Sequence, residues 1–109
     1  MSNLKLSIII PAYNEEKTII QTLKRIKKTK TDNINYEVIV INDGSKDQTL
    51  SLLKSNNELY EKLIDYSNNS GKGFAVKKGL EVSTGDYVIF QDADLEYDPK
   101  DFEKFVDLI

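Results

Sequence analysis

Four short apolar runs alternate with segments of helical period, and this alternation constrains the chain more than any other feature. The runs are residues 4–10 (LKLSIII), 36–41 (YEVIVI), 62–66 (KLIDY, the weakest) and 87–91 (YVIFQ). Apolar runs of this length bounded by turn residues read as buried strands. Between the first two, Ile19, Ile20, Leu23 and Ile26 recur at helical spacing, with Lys24, Arg25, Lys27 and Lys28 toward the C-terminal end. Leu50, Leu52 and Leu53 mark a second helix. Phe74, Ala75, Val76, Leu80 and Val82 mark a third, with Gly85 expected near its C-terminal cap. Asp98 and Pro99 open a last helix whose apolar face is Phe102, Phe105, Val106 and Ile109.

The punctuation agrees with these elements. Pro11 has no N–H for a sheet ladder and is expected to end the first strand. Asn14 is expected to cap the first helix, with Glu15 and Glu16 at the positive end of its dipole. Ser45-Lys46-Asp47-Gln48 matches a capping box, with Ser45 as N-cap and Gln48 reaching back. Residues 68–73 (NNSGKG) read as a flexible glycine-containing loop.

Strands alternating with helices fold as an open parallel sheet with helices on both faces, a Rossmann-like α/β class. Right-handed crossovers leave few strand orders. The commonest is 3-2-1-4, with a switch point between the first and fourth strands. That order brings three loops together, at residues 11–16, 42–45 and 92–96. The fourth run turns acidic at once, with Asp92, Asp94, Glu96 and Asp98 following Phe90-Gln91. Carboxylates at the carboxyl end of such a strand sit where open α/β sheets bind ligands. Two Asp separated by one small residue, Asp92-Ala93-Asp94, can both reach a hard cation such as Mg²⁺ or Mn²⁺. Asp is also common in turns, so the pair gains meaning only from what precedes it.

Composition removes several chemistries. With neither cysteine nor histidine, the chain has no disulfide, no thiol nucleophile, no His-ligated zinc and no His general base. Any metal must be held by oxygen. The net charge of −3 shows no basic excess, so nucleic acid is not the expected partner. No run approaches the ~20 apolar residues of a membrane span. The start, MSNLKLSIII, leads into a strand without a signal-peptide h-region. The expected location is cytoplasmic, with peripheral contact at the cytoplasmic membrane face.

Four segments, in this order and spacing, resemble the family 2 glycosyltransferases of GT-A-type fold. They are residues 7–16 (SIIIPAYNEE), 40–49 (VINDGSKDQT), 69–73 (NSGKG) and 85–99 (GDYVIFQDADLEYDP). The ending DADLEYDP is most similar to the polyprenyl- and dolichyl-phosphate sugar transferases. The resemblance implies a UDP- or GDP-sugar donor, inversion at the anomeric carbon and an acceptor of the polyprenyl-phosphate kind. Carried over by motif, Pro11, Ala12, Tyr13 and Glu15 lie along the nucleoside. Asp43 accepts a hydrogen bond from the base edge, and since uracil and guanine both present an N–H it does not choose between them. Lys72 approaches the nucleotide from its loop, beside Asp92 and Ala93. Asp92 and Asp94 form the metal pair for Mg²⁺ or Mn²⁺, with Glu96 a candidate further ligand, although some relatives carry Gln there. The family's catalytic base and acceptor motifs come later than Ile109. Residues 1–109 are thus expected to be the N-terminal, donor-binding portion of a larger domain. The fourth strand, apolar on both faces, would then lack its outer neighbour. Alone, that edge is expected to favour homo-oligomers or marginal stability.

Each residue also has a plainer reading. Glu15 and Glu16 serve a helix dipole, Asn42 to Ser45 a turn, Lys72 a solvated loop, Tyr13 packing over the sheet edge, and Asp92 and Asp94 a turn. Three other functions stay open at this level. A phosphoryl receiver domain has similar length and an Mg²⁺ pocket, but its acidic pair is expected where Pro11-Ala12-Tyr13 stands. A sugar nucleotidyltransferase is expected to carry a glycine- and arginine-rich loop after strand one. A non-catalytic nucleotide-binding module needs only the cleft.

Overall fold

The computed structural model describes residues 4–29 and 33–93. Four strands form one parallel sheet: β1 (Leu4–Ala12), β2 (Ile34–Asp43), β3 (Lys62–Tyr66) and β4 (Tyr87–Phe90). Their order is β3-β2-β1-β4, as the alternation predicts. Helices α1 (Ile19–Lys28), α2 (Thr49–Ser55) and α3 (Lys72–Val82) connect them, with a 3₁₀ turn at Asn57–Leu59 before β3. The helix expected after Asp98, with Phe102, Phe105, Val106 and Ile109, lies outside the described residues.

Side chains alternate across each strand, and the two faces collect different partners. Leu6, Ile8, Ile10, Val38 and Val40 pack under α1 and α2 against Ile19, Leu23, Ile26 and Leu53. Ile9, Ile39 and Ile41 pack on the opposite face against Ala75, with Val82 and Val88 at the margin. Both faces of β1 and β2 are therefore covered, which is why these strands read as unbroken apolar runs. The chain steps from β1 outward to β3, then returns through α3 to β4 on the other side of β1. That reversal opens a crevice at the carboxyl ends of β1 and β4.

The third helix buries a different stripe from the one its large residues suggest. Ala75 and Gly79 face the sheet, while Phe74 and Leu80 are exposed. A Cβ on Gly79 would lie 2.6 Å from Ile9 Cγ2 and 3.0 Å from Ile41 Cδ1, so only a bare backbone lets α3 seat this closely. Gly85 is not a helix cap; Ser83 holds that place. Gly85 instead lets the chain pass β1, where a Cβ would meet Ser7 Oγ at 2.5 Å.

Three further local expectations are corrected. Pro11 does not end β1; it pairs with Ile41, and the strand runs on to Ala12. Gln91 N donates to Ile9 O, so Ile9 and Pro11 turn their backbone polar groups toward β4. The β4 ladder stops at Ile9, and the missing N–H of Pro11 costs no bond there. Asn14 is not a helix cap, because α1 begins at Ile19; it takes a left-handed φ of 53°. Ser45 and Gln48 form no capping box; Gln48 is itself the N-cap residue and makes no side-chain capping bond, while Asp47 Oδ1, one residue earlier, accepts from Thr49 N at 2.9 Å.

At the amino ends of the strands, Glu37 is buried on the α3 side of the sheet, 4% exposed. It accepts hydrogen bonds from Ser7 Oγ (2.7 Å), Thr84 N (2.8 Å) and Thr84 Oγ1 (2.8 Å), with Lys62 Nζ at 3.1 Å and Lys5 Nζ at 3.4 Å. Burial alone raises its pKa, but these bonds, led by the Thr84 N–H, outweigh it and hold the carboxyl at about 2. One carboxylate thus joins β1, β2, β3 and the segment entering β4. Among the described residues β4 is an outer strand, with Tyr87 and Phe90 exposed. No described helix is long and apolar enough to cross a membrane.

Candidate functional site

The crevice at the carboxyl ends of the strands holds a cavity of about 420 Å³. Pro11, Ala12, Tyr13 and Glu15 line it from the end of β1, Asp43 from β2, Lys72 from the start of α3, and Asp92 and Ala93 from the end of β4. All eight residues carried over to the donor nucleotide therefore share one cavity. Asn69 and Gly71 also line it and were not anticipated. Asp94 and Glu96, the other members of the expected metal set, lie outside the described residues.

The loop after β1 is stitched to the loop after β2. Asn14 N donates to Ser45 Oγ at 2.9 Å, and Lys46 N donates to Asn14 Oδ1 at 2.8 Å. Glu15 N donates to Thr49 Oγ1 at 2.9 Å, and Glu16 N to Asp47 Oδ2 at 3.2 Å. The left-handed turn at Asn14 aims successive amides at these acceptors, a conformation asparagine adopts more readily than most residues. Burial tends to raise the Asp47 pKa, but bonds from the Thr49 hydroxyl, the Thr49 N–H and the Glu16 N–H hold it below the ordinary value.

Asp43 is 3% exposed and lies two residues beyond Ile41, on the same face of β2. Its Oδ1 accepts from Ser70 N at 2.9 Å and its Oδ2 from Gly71 N at 2.8 Å. Asn69 Nδ2 donates to the Asp43 carbonyl at 3.2 Å. The glycine loop, read as flexible, is thus pinned to β2 immediately before α3 begins. Gly44 permits the approach: its φ is +71°, and a Cβ there would lie 2.4 Å from Asn69 N. Each carboxylate oxygen of Asp43 can accept a second hydrogen bond, so a base N–H still has an acceptor.

Across the cavity, Lys72 Nζ meets Asp92 Oδ1 at 2.5 Å, with side-chain exposures of 65% and 22%. A pair this open to water contributes little to stability; its interest is that it places a cation beside Asp92. Behind Asp92, the Ala93 carbonyl accepts from two hydroxyls, Thr18 Oγ1 at the N-cap of α1 (2.8 Å) and Thr22 Oγ1 within α1 (3.1 Å). Asn69 and Gly71 fall in the NSGKG segment, from which the resemblance assigns only Lys72; nothing in the sequence marks the Ala93 carbonyl, which is backbone held by ordinary hydroxyls. Among the described residues, no three acidic side chains converge to hold a metal. Asp92 and the nearby Glu15 supply only oxygen donors, the kind that suits Mg²⁺ or Mn²⁺.

The chain is 38% identical over 119 residues to a dolichyl-phosphate beta-glucosyltransferase of Dictyostelium discoideum, matching 100% of this chain and 36% of that protein. The fold superposes on S. aureus TarS 1-349 in complex with UDP-GlcNAc, with a TM-score of 0.83 and 29% identity over 97% of this chain and 31% of that one. It also superposes on the mannosyltransferase PcManGT from Pyrobaculum calidifontis, in complex with GDP-Man and Mn²⁺. There the TM-score is 0.73 and identity 28%, over 86% of this chain and 28% of that one. The chain spans about a third of the length of the curated relatives it matches. The model of glycosyl transferase family 2 matches residues 7–109, and the chain belongs to that family.

Proposed function

We propose that this chain binds a UDP- or GDP-sugar in the 420 Å³ cavity, together with Mg²⁺ or Mn²⁺ on Asp92 and Asp94, with Glu96 a further ligand. The protein would then transfer the sugar, with inversion, to a lipid-phosphate acceptor of the polyprenyl or dolichyl kind. One observation carries the reading: Asp43 at the end of β2, Lys72 at the start of α3 and Asp92 after β4 line the same cavity as Tyr13 and Glu15. The UDP-GlcNAc and GDP-Man held by the two similar structures, and the Mn²⁺ of the second, support it. Relatives named for dolichyl-phosphate and undecaprenyl-phosphate support the acceptor class. Membership of the family removes the phosphoryl-receiver and nucleotidyltransferase alternatives.

In this reading Pro11, Ala12 and Tyr13 flank the nucleoside and Asp43 accepts from the base N–H. Lys72 faces the diphosphate and, with its positive charge, opposes the negative charge that grows as the nucleotide departs. A bound divalent cation supplies further neutralisation of the leaving diphosphate. Asp92 holds the metal side of the cavity, and Glu15 closes the wall beside it. A phosphate acceptor is already anionic; an alcohol acceptor would need a carboxylate base, which is assigned to none of residues 1–109. A lipid-phosphate acceptor would be met at a membrane surface.

The test is thermal denaturation with UDP, GDP, AMP and Mn²⁺. UDP or GDP with Mn²⁺ should raise the midpoint, since a ligand at 100 times its dissociation constant stabilises by about 2.7 kcal/mol. AMP should not, and Asp92→Asn should abolish the Mn²⁺ dependence. Equal shifts with AMP, or an undiminished Mn²⁺ effect in D92N, would refute the proposal.

A further inference from the structure

Thr18, the N-cap residue of α1, and Thr22, inside the helix, stand four residues apart. A threonine in a helix commonly turns its hydroxyl back to a carbonyl of its own preceding turn. Here both hydroxyls go to a distant acceptor, the Ala93 carbonyl, 75 and 71 positions away in sequence. Thr22 is fully buried and Ala93 is 3% exposed, so water does not substitute for the Thr22 bond; Thr18 is half-buried. A carbonyl oxygen has two lone pairs, and these two donors use both. Thr18 Oγ1 also lies 3.3 Å from Glu15 Oε2. Its single proton serves the nearer Ala93 oxygen, which leaves the hydroxyl wedged between the wall after β1 and the turn after β4. The turn is held from the sheet side as well: Gln91, 2% exposed, donates Nε2 to the Asp92 carbonyl at 3.1 Å.

Resting on the cation and nucleotide reading above, we propose that Thr18 and Thr22 are positioning residues of the acidic turn. They touch neither substrate nor cation. They fix the Asp92-Ala93 backbone before ligand arrives, so that the carboxylate need not be ordered at the moment of binding. The helix that opens on the first motif thereby sets the geometry of the last one.

The experiment measures Mn²⁺ dissociation constants from the free-ion electron paramagnetic resonance signal, with saturating UDP or GDP, whichever raises the melting midpoint. Variants are Thr22→Val, Thr22→Ser, Thr18→Val and, as control, Asp92→Asn, each at a temperature where circular dichroism shows it folded. Loss of one hydroxyl bond, at about 0.5–1.5 kcal/mol, weakens Mn²⁺ binding by about 2- to 10-fold in T22V. T22S, which restores the hydroxyl, stays within about 2-fold of wild type by the same reasoning. If T22V does not fold, T18V, at a half-buried position, carries the test. Valine variants that melt earlier yet keep the wild-type Mn²⁺ constant would make the pair merely structural and overturn the proposal. A wild type that binds Mn²⁺ no better than D92N would instead remove the metal site and, with it, this role. The two failures are told apart by D92N.

Discussion

Replacing Glu37 with Gln should remove a pH-dependent share of the stability. The carboxyl sits at about 2 in the folded chain against an ordinary 4.5. A folded value below the unfolded one stabilises at pH above 4.5, and that stabilisation is lost as pH falls through 2. At 1.36 kcal/mol per pH unit the gap is worth about 3 kcal/mol at neutral pH. By the same relation it shrinks to about 1 kcal/mol at pH 3. Glu37 is nearly inaccessible, so solvent does not screen its bonds as it does for a surface pair. The assay is urea unfolding of wild type and E37Q at pH 7, 5, 4 and 3. Comparing the two proteins cancels the other carboxylates, which titrate alike in both. The stability difference should narrow by about 2 kcal/mol between pH 7 and pH 3. A difference that stays constant across this range would show that the Ser7, Thr84 and Lys62 bonds do not favour the charged form.

Two other perturbations test different parts of the structure. Asp43→Asn places an amide N–H₂ against the Ser70 or Gly71 amide that the carboxylate now accepts from. The loss of one charge-assisted bond, about 1.5–3 kcal/mol, should weaken nucleotide binding by at least about 10-fold in titration calorimetry and increase amide exchange at Asn69 to Gly71. Gly79→Ala pushes a methyl into Ile9 and Ile41; despite alanine's better helix propensity it should lower stability by about 1–3 kcal/mol in urea unfolding.

The parallel sheet was legible because each strand is an apolar run between turn residues, and even the weak run at residues 62–66 became β3. Helix ends were read less well: Asn14 and Ser45 suit a cap by residue type but bond each other's loops, while Gln48 does stand at the N-cap of α2 without a side-chain capping bond. The buried face of α3 was misjudged for a related reason. Periodicity weighs Phe74 and Leu80 above Gly79, whereas close packing on Ile9 and Ile41 selects the smallest residue. The eight cavity residues were found through motif order. Asn69 and Gly71 were not, although they lie in the NSGKG motif, because Gly71 contributes mainly backbone and Asn69 a common loop amide; Thr18 and Thr22 were not, because such hydroxyls leave no distinctive trace in composition.

The sequence by itself determined the alternation of strand and helix, the oxygen-only chemistry of any metal site, and the acids at the strand ends. Those properties are local, fixed by hydrophobic period and by which residue types are present at all. Tertiary structure decided which strand ends meet, that Asp43 is tied down by loop amides, and that the Ala93 carbonyl is held by α1. These depend on strand order and on bonds between residues 27 to 75 positions apart, distances over which no short pattern in the chain can speak.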